Sequence, residues 1–431
     1  MKVAFLNLGC KVNKYETDLL KEKFEKAGHF VVDFDTKADM YCINSCSVTN
    51  MSDRKTRQMV SKARKNNPKA IVAVIGCSVQ SNDKEGFKEA DVILGNEDKM
   101  DLLEVVETFN KKQNSKKERV ITLQDISKVK RYKEVGTLNK GYDLREQVKI
   151  EDGCNNFCSY CIIPYIRGRV RSRSLDSIEK EAKQLVKNGV KEIVLVGIEV
   201  ASYGKDLEDI NLFNVLDIMD NIKGLERVRL SSMEPRFLTT DNIEHLSKYN
   251  KLCPHFHISM QSGNSEVLKR MNRKYGKEEL IKVCKDLRNY FSNPYLAADV
   301  IVGFPGETEE EFIDTVDTIN KMQLSEIHVF KYSKRKYTRA SQMEGQVEGT
   351  IKKQRSNEIL NLSKKLNSKF LEEYVGKKVS VLFENYTDGT LTGYTKNYIK
   401  VKVKGEESLC GTIQDVDIIS LEKDIAQGVL N

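Results

Sequence analysis

The run Cys154-Asn155-Asn156-Phe157-Cys158-Ser159-Tyr160-Cys161 carries three thiols at C-x3-C-x2-C spacing, directly after an apolar stretch at 148–151. A loop this short can wrap three thiolates around three corners of a four-iron cluster. Structural zinc wants four protein ligands, and no fourth Cys or His lies nearby, so a zinc site here needs a distant partner. A cluster with one unligated iron needs none. That open iron can chelate the amino and carboxylate groups of S-adenosylmethionine. Electron transfer from the reduced cluster then cleaves the sulfonium to a 5′-deoxyadenosyl radical.

On the C-terminal side of this loop, strand candidates at 192–197, 228–232, 255–260, 297–303 and 327–332 continue the series begun at 148–151. Six strands with intervening helices predict a partial (βα)6 barrel, whose chemistry gathers at the C-terminal strand ends. On the N-terminal side, strands at 3–8, 40–45, 71–76 and 92–94 alternate with helix-like segments such as 15–27 and 53–65. That alternation predicts an open parallel α/β sheet. Residues 111–140 turn polar and Lys-rich, the pattern of a solvated boundary. From 351 to 374 a helix is expected, with Ile359, Leu362, Leu366 and Phe370 on one stripe. Alternating Val379, Val381 and Phe383, turns at Asp388-Gly389 and Lys404-Gly405, and runs at 398–403 and 416–421 predict a small all-β module. The fold class is therefore α/β, divided into an N-terminal domain at 1–112, a linker at 113–139, a barrel domain at 140–370 and a β module at 371–431.

The N-terminal domain carries a second constellation. Cys10, Cys46 and Cys77 each stand at the end of a strand candidate. In an open parallel sheet the C-terminal strand ends share one edge, where ligands bind. Three thiols distant in sequence can meet there and hold a second cluster with another open iron. The competing reading is three buried cysteines behaving as small hydrophobes. Cys42, Cys253, Cys284 and Cys410 read as packing residues.

Ten cysteines without a visible signal peptide point to a cytoplasmic chain whose clustered thiols serve metal or catalysis. No apolar stretch approaches the roughly 20 residues that span a bilayer, so no membrane is expected. The 71 Lys and Arg against 63 Asp and Glu give a net charge of +8, which permits a polyanionic partner without requiring one. Phosphate contacts are expected from the basic excess, with Lys377, Lys378, Lys396, Lys400 and Lys402 as candidates in the β module. Tyr394 and Tyr398 are candidates for stacking on bases, with core packing as the alternative.

The three-cysteine loop resembles the radical S-adenosylmethionine superfamily, and the addition of Cys10, Cys46 and Cys77 makes the chain similar to its methylthiotransferases. The terminal β module resembles their RNA-binding TRAM domain. Further similarity lies in Gln261-Ser262-Gly263, in the run from Val267 to Tyr275, in Ser232-Met233-Glu234-Pro235 and in the run from Asp299 to Thr308. The resemblance implies a radical SAM transferase with two 4Fe-4S clusters, at Cys154, Cys158 and Cys161 and at Cys10, Cys46 and Cys77. It implies two S-adenosylmethionine molecules per turnover and cofactor contacts from Tyr160, Glu234, Gln261 and Gly303. Glu199, after the second barrel strand, and Tyr337, where a glycine is expected, depart from the pattern.

Three substrates are known to this family: isopentenyladenosine in tRNA, an aspartate of a ribosomal protein, and N6-threonylcarbamoyladenosine in tRNA. The stretches Leu8-Gly9-Cys10-Lys11-Val12-Asn13-Lys14-Tyr15-Glu16 and Ile43-Asn44-Ser45-Cys46-Ser47-Val48-Thr49-Asn50 resemble the third subtype. The implied partner is the tRNA anticodon stem-loop carrying modified adenosine 37, together with an unidentified electron donor. The implied reaction places a methylthio group on C2 of that adenine. Lys11, Lys14, Asn50 and Arg335 are polar residues of the type its carboxylate and hydroxyl demand. A non-catalytic iron–sulfur RNA-binding protein is the alternative of another class.

Overall fold

The computed structural model describes residues 1–81, 84–111 and 118–430. The first domain is built from β1 (Lys2–Asn7), α1 (Lys11–Lys26), β2 (Phe30–Val32), β3 (Met40–Ser45), α2 (Asn50–Asn66), β4 (Ile71–Gly76), α3 (Cys77–Gln80), β5 (Val92–Leu94), α4 (Leu102–Lys111) and β6 (Val120–Thr122). Its six strands pair in parallel in the order β2-β1-β3-β4-β5-β6. Both faces of the central strands are buried, which explains their unbroken apolar runs, such as Ile71-Val72-Ala73-Val74-Ile75. β2 and β6, three-residue strands at the two edges of the sheet with partly exposed side chains, escaped the sequence reading, whereas the equally short but fully buried β5 did not. β6 corrects the expected linker at 113–139, since Val120-Ile121-Thr122 pairs with β5 and belongs to the sheet. The Lys-rich run at 112–117 lies outside the described residues.

The central domain follows with β7 (Arg145–Lys149), β8 (Glu151–Asp152), α5 (Ile163–Arg167), β9 (Arg171–Ser172), α6 (Leu175–Lys187), β10 (Glu192–Val196), α7 (Leu212–Asn221), β11 (Arg227–Leu230), α8 (Thr240–Leu246), β12 (His255–Gln261), α9 (Ser265–Arg270), α10 (Lys277–Tyr290), β13 (Tyr295–Val302), α11 (Glu309–Met322), β14 (Glu326–Lys331) and α12 (Gly349–Glu372). Two parallel three-stranded sheets, β7-β10-β11 and β12-β13-β14, are joined by parallel bridges at Val228–Leu252 and Met233–Ile258. The six expected barrel strands thus form one open arc in sequence order. β8 and β9 are a two-residue antiparallel pair, Glu151 with Ser172 and Asp152 with Arg171, that clasps both ends of the cysteine loop and α5. Among the described residues, no helix is long and apolar enough to cross a membrane.

The C-terminal module closes into a barrel of β15 (Lys378–Thr387), β16 (Thr390–Thr395), β17 (Lys400–Lys404), β18 (Ile413–Glu422) and β19 (Ile425–Leu430), in the order β15-β16-β17-β19-β18. Asp388 and Gly389 turn the first hairpin with φ of 48° and 76°, the left-handed pair of a type I′ turn. This barrel corks the lower end of the open arc. Arg227 donates to the Tyr394 carbonyl at 2.7 Å and the Ser380 carbonyl at 3.2 Å. Arg229 donates to the Lys396 carbonyl at 3.2 Å and lies 4.6 Å from the Tyr398 ring. Arg145 lies over Tyr394 and Tyr398, at 4.8 and 5.1 Å. These contacts correct the RNA-stacking expectation for Tyr394 and Tyr398, whose faces are taken by guanidiniums and by each other at 4.9 Å. Lys396 is likewise engaged, on the Asn250 carbonyl.

Candidate active site

Cys154 follows the left-handed Gly153, and Cys161 closes a turn onto the Cys158 carbonyl at 3.0 Å. Phe157, at the crest, has φ of +48°, and its carbonyl accepts from Asn272 at 3.0 Å. Ser159 is pinned on both sides: its N–H donates to the Met271 carbonyl at 3.0 Å, and its hydroxyl donates to the Arg270 carbonyl at 2.9 Å. The segment after α9 is therefore the cradle of the cysteine loop. Arg273 completes it, donating from Nη1 to Cys158 Sγ at 3.0 Å. No spacing rule marked Arg273 in the sequence, and only the fold brings it to the sulfur.

A cavity of about 270 Å³ opens over this loop, lined by Cys154, Cys158, Cys161, Asn156, Tyr160, Glu199, Gln261, Arg273, Asp299 and Tyr332, with Val48 and Thr49 entering from the first domain. Of the expected cofactor contacts, Tyr160 and Gln261 line it. Gln261 ends β12 with φ of +66°. Glu234 sits one shell behind, accepting from Asn156 Nδ2 at 2.8 Å. Gly303 stands apart from the lining, with φ of +70°. A Cβ there would meet Lys352 Cγ at 2.3 Å, so the glycine serves the approach of α12. Glu199 is buried, and its N–H donates to Glu151 Oε1 at 2.6 Å. Burial, then the Glu234 carboxylate, push its own carboxyl up to about 7.

The residues fit a cluster and a polar cofactor. Burial pushes the Cys161 thiol up to about 12, so a metal bound there must displace its proton. Among the described residues, no three His, Cys, Asp or Glu side chains converge on one ion. A four-iron cluster instead takes its thiolates at separate corners. The Tyr332 hydroxyl, on the cavity wall, is buried without a partner among the described residues, as a ligand-facing group would be.

The other three cysteines stand along one edge of the first-domain sheet. β1, β3 and β4 are adjacent, and Cys10, Cys46 and Cys77 follow their ends. Gly76 makes the turn before Cys77 with φ of +94°, and a Cβ there would lie 2.6 Å from Asn44 Oδ1. Asn13 ties the edge together. It accepts from Cys10 Sγ at 3.2 Å and donates to Asn44 Oδ1 at 2.8 Å and the Ser45 carbonyl at 3.1 Å. Burial pushes the Cys46 thiol up to about 11. Cys42 is buried inside β3 and Cys284 within α10, the packing roles expected of them.

The loop after Cys46 is clamped to the barrel by Arg335. Its guanidinium donates to Asn50 Oδ1 at 2.5 Å, to Ser47 Oγ at 2.5 Å and to Asp53 at 2.6 Å. Tyr337, which stands where a glycine is expected, has φ of +70° two residues later, a conformation that favours glycine. Lys14 is committed elsewhere, paired with Asp18 at 2.9 Å and Asp143 at 3.4 Å.

Residues 148–319 match the radical SAM superfamily, and residues 2–95 match the Uncharacterized protein family UPF0004. The threonylcarbamoyladenosine tRNA methylthiotransferase MtaB of Bacillus subtilis (strain 168) is 38% identical over 97% of this chain and 93% of its own length. A tRNA-2-methylthio-N(6)-dimethylallyladenosine synthase of Clostridium botulinum (strain Hall) is 34% identical over 95% of this chain and 93% of its own. Among solved structures, the radical S-adenosylmethionine methyltransferase TsrM of Kitasatospora setae, with cobalamin and a 4Fe-4S cluster bound, has a TM-score of 0.58 at 15% identity. It covers 79% of this chain and 77% of that one, a likeness of fold alone. The superfamily match implies S-adenosylmethionine and a 4Fe-4S cluster. With near-complete coverage at this identity, the chain belongs to the methylthiotransferase family of radical S-adenosylmethionine enzymes.

Proposed function

We propose that this enzyme converts N6-threonylcarbamoyladenosine at position 37 of tRNA to its 2-methylthio derivative, in the cytoplasm, drawing electrons from an unidentified donor. The observation that carries the reading is the shared cavity. Val48 and Thr49, just beyond Cys46, line the same space as Cys154, Cys158 and Cys161. Such an arrangement lets a methylthio donor at Cys10, Cys46 and Cys77 and a radical source at Cys154, Cys158 and Cys161 face one adenine. When bound, the two 4Fe-4S clusters and S-adenosylmethionine supply one-electron chemistry able to break an aromatic C–H bond. The chain's own residues position and shield: Asn156 and Tyr160 stand beside the thiols, and Arg273 neutralises Cys158.

Substrate choice is supported by Arg335 and Asn50. Ser333, on the cavity wall, accepts from the Asn50 N–H at 3.2 Å, which brings the Arg335–Asn50 pair to the cavity edge. A threonylcarbamoyl group offers these residues a carboxylate and a hydroxyl. An isopentenyl group can neither donate to nor accept from this polar cluster, whose members then keep only their bonds to one another. The Bacillus subtilis and Aquifex aeolicus relatives named for threonylcarbamoyladenosine, at 38% and 37% identity, favour the same choice. The test offers purified enzyme both modified tRNAs in competition and identifies the nucleosides by mass spectrometry. Preferential methylthiolation of the isopentenylated tRNA would refute the substrate and leave the reaction class standing.

A further inference from the structure

Arg167 ends α5, in the same short stretch of chain as Cys161, yet its guanidinium leaves the central domain and enters the first. It is 1% exposed. Nε donates to Cys77 Sγ at 3.3 Å. Nη2 donates to Asn13 Oδ1 at 3.1 Å, the same oxygen that accepts from Cys10 Sγ at 3.2 Å. One guanidinium thus touches one thiol of the first-domain triad directly and a second through a single amide. Nη1 reaches both carboxyl oxygens of Asp152 at 3.1 Å and Glu16 at 3.2 Å. Asp152 in turn accepts from the Gly153 N–H at 2.8 Å, at the root of the radical SAM loop. Ile162 and Ile166 of the same stretch pack on Cys77.

The charge around Arg167 is unbalanced. Lys149 pairs with Glu16 at 2.8 Å and Asp152 at 2.6 Å, Lys99 pairs with Glu16 at 2.6 Å, and Arg171 approaches Asp152 at 3.9 Å. All six side chains are buried. Four cations therefore face two carboxylates, and Arg171 Nη1 is left without a partner among the described residues. Buried, uncompensated charge is costly. An anionic group at the edge of this network relieves the excess, and the thiols of Cys10 and Cys77 are the groups at that edge.

We propose that Arg167 is a positioning residue for the first-domain cluster: it fixes the Cys10–Cys77 edge to the radical SAM domain and, as a cation donating to a thiolate, raises the cluster's reduction potential. This deepens the proposed function and rests on its assignment of Cys10, Cys46 and Cys77 as ligands. A cation and a hydrogen bond at a ligating sulfur favour the reduced, more negative cluster, so losing them makes reduction harder.

The experiment uses full-length chain in which Cys154, Cys158 and Cys161 are replaced by Ala, so that only the first-domain cluster remains. Iron content and an electron-paramagnetic-resonance redox titration are measured with Arg167 intact, with Arg167→Gln and with Arg167→Lys. The parent should hold roughly four irons per chain. R167Q should lower the reduction equilibrium constant at least tenfold, which is about 59 mV more negative for a one-electron couple. R167K keeps the charge and should recover most of that shift; should R167Q hold no iron, R167K is compared with the parent alone and must lie between zero shift and that tenfold loss. A parent chain without iron overturns the ligand assignment itself. Iron retained with an unchanged potential in R167Q, or equal shifts in R167Q and R167K, overturns the role of Arg167.

Discussion

Cys154, Cys158 and Cys161 share one loop, whereas Cys10, Cys46 and Cys77 come from three separate strand ends. The loop triad depends on local geometry, and its support comes from one neighbouring segment, Arg270 to Arg273. The strand-end triad exists only while β1, β3 and β4 are aligned and while Arg167 and Arg335 hold the first domain against the barrel. A motif read along the sequence and a motif read across a sheet thus carry different vulnerabilities. Damage to the loop should remove one chemistry cleanly. Damage to the interface should loosen the other site first.

The sharpest break in this contrast comes from the cysteines themselves. With Cys154, Cys158 and Cys161 all replaced by Ala, S-adenosylmethionine cleavage should fall to background, and iron should drop from roughly eight to four per chain. The complementary triple replacement of Cys10, Cys46 and Cys77 should keep cleavage to 5′-deoxyadenosine and lose methylthio transfer. Chromatography of the cleavage products and an iron assay separate the two; equal loss of both activities in both variants contradicts independent sites.

Truncation after Tyr374 should have the next largest effect. It strips the acceptors from Arg227 and Arg229 and uncovers Glu192 and Arg145 at the barrel floor. Water takes the place of the lost acceptors, but hydrogen bonds to charged groups still contribute about 1.5–3 kcal/mol net each, so the central domain should lose several kcal/mol and melt before the first domain does. A single, unshifted melting transition in the truncated chain would show that the module is only an appendage.

Arg335→Ala tests the other side of the comparison. Breaking the buried pair with Asp53 should cost about 3 kcal/mol and raise protease cutting in the loop after Cys46, with cleavage of S-adenosylmethionine little changed. The smallest effect is expected from Tyr337→Gly, which relieves a left-handed tyrosine on the segment that carries that clamp. Thermal melting should show a gain of about 1 kcal/mol, reduced by the extra freedom of glycine in the unfolded chain. A loss of stability there would mean that the ring's contacts outweigh its backbone strain.

Periodicity and composition made the three-part architecture legible, because β/α alternation is written along the chain, and spacing and strand-end position singled out six cysteines as candidates. The barrel strands, the helix now seen as α12 and the Asp388-Gly389 turn came from the same signals. Partners fixed by tertiary placement were not legible. Asn13, Arg167 and Arg273 touch sulfur only because distant segments converge, and an isolated Asn or Arg looks like any solvated residue. Tyr394 and Tyr398 stayed open between stacking and packing for the same reason: an aromatic in a β module reads alike whether it faces RNA or a neighbouring domain. β2 and β6 are partly exposed strands at the sheet edges and stayed hidden, whereas β5, equally short, is wholly buried and was found.

The cork at the base of the open arc also has a consequence for biosynthesis. A ribosome delivers β15 to β19 after every strand of the central domain has emerged. Until then Arg145, Arg227 and Arg229 still wait for the Glu384 carboxylate and the Tyr394 and Lys396 carbonyls that complete their shells. Vectorial folding therefore cannot finish the central domain until the β module has followed it out of the ribosome, and up to that point the nascent domain keeps its floor open to water.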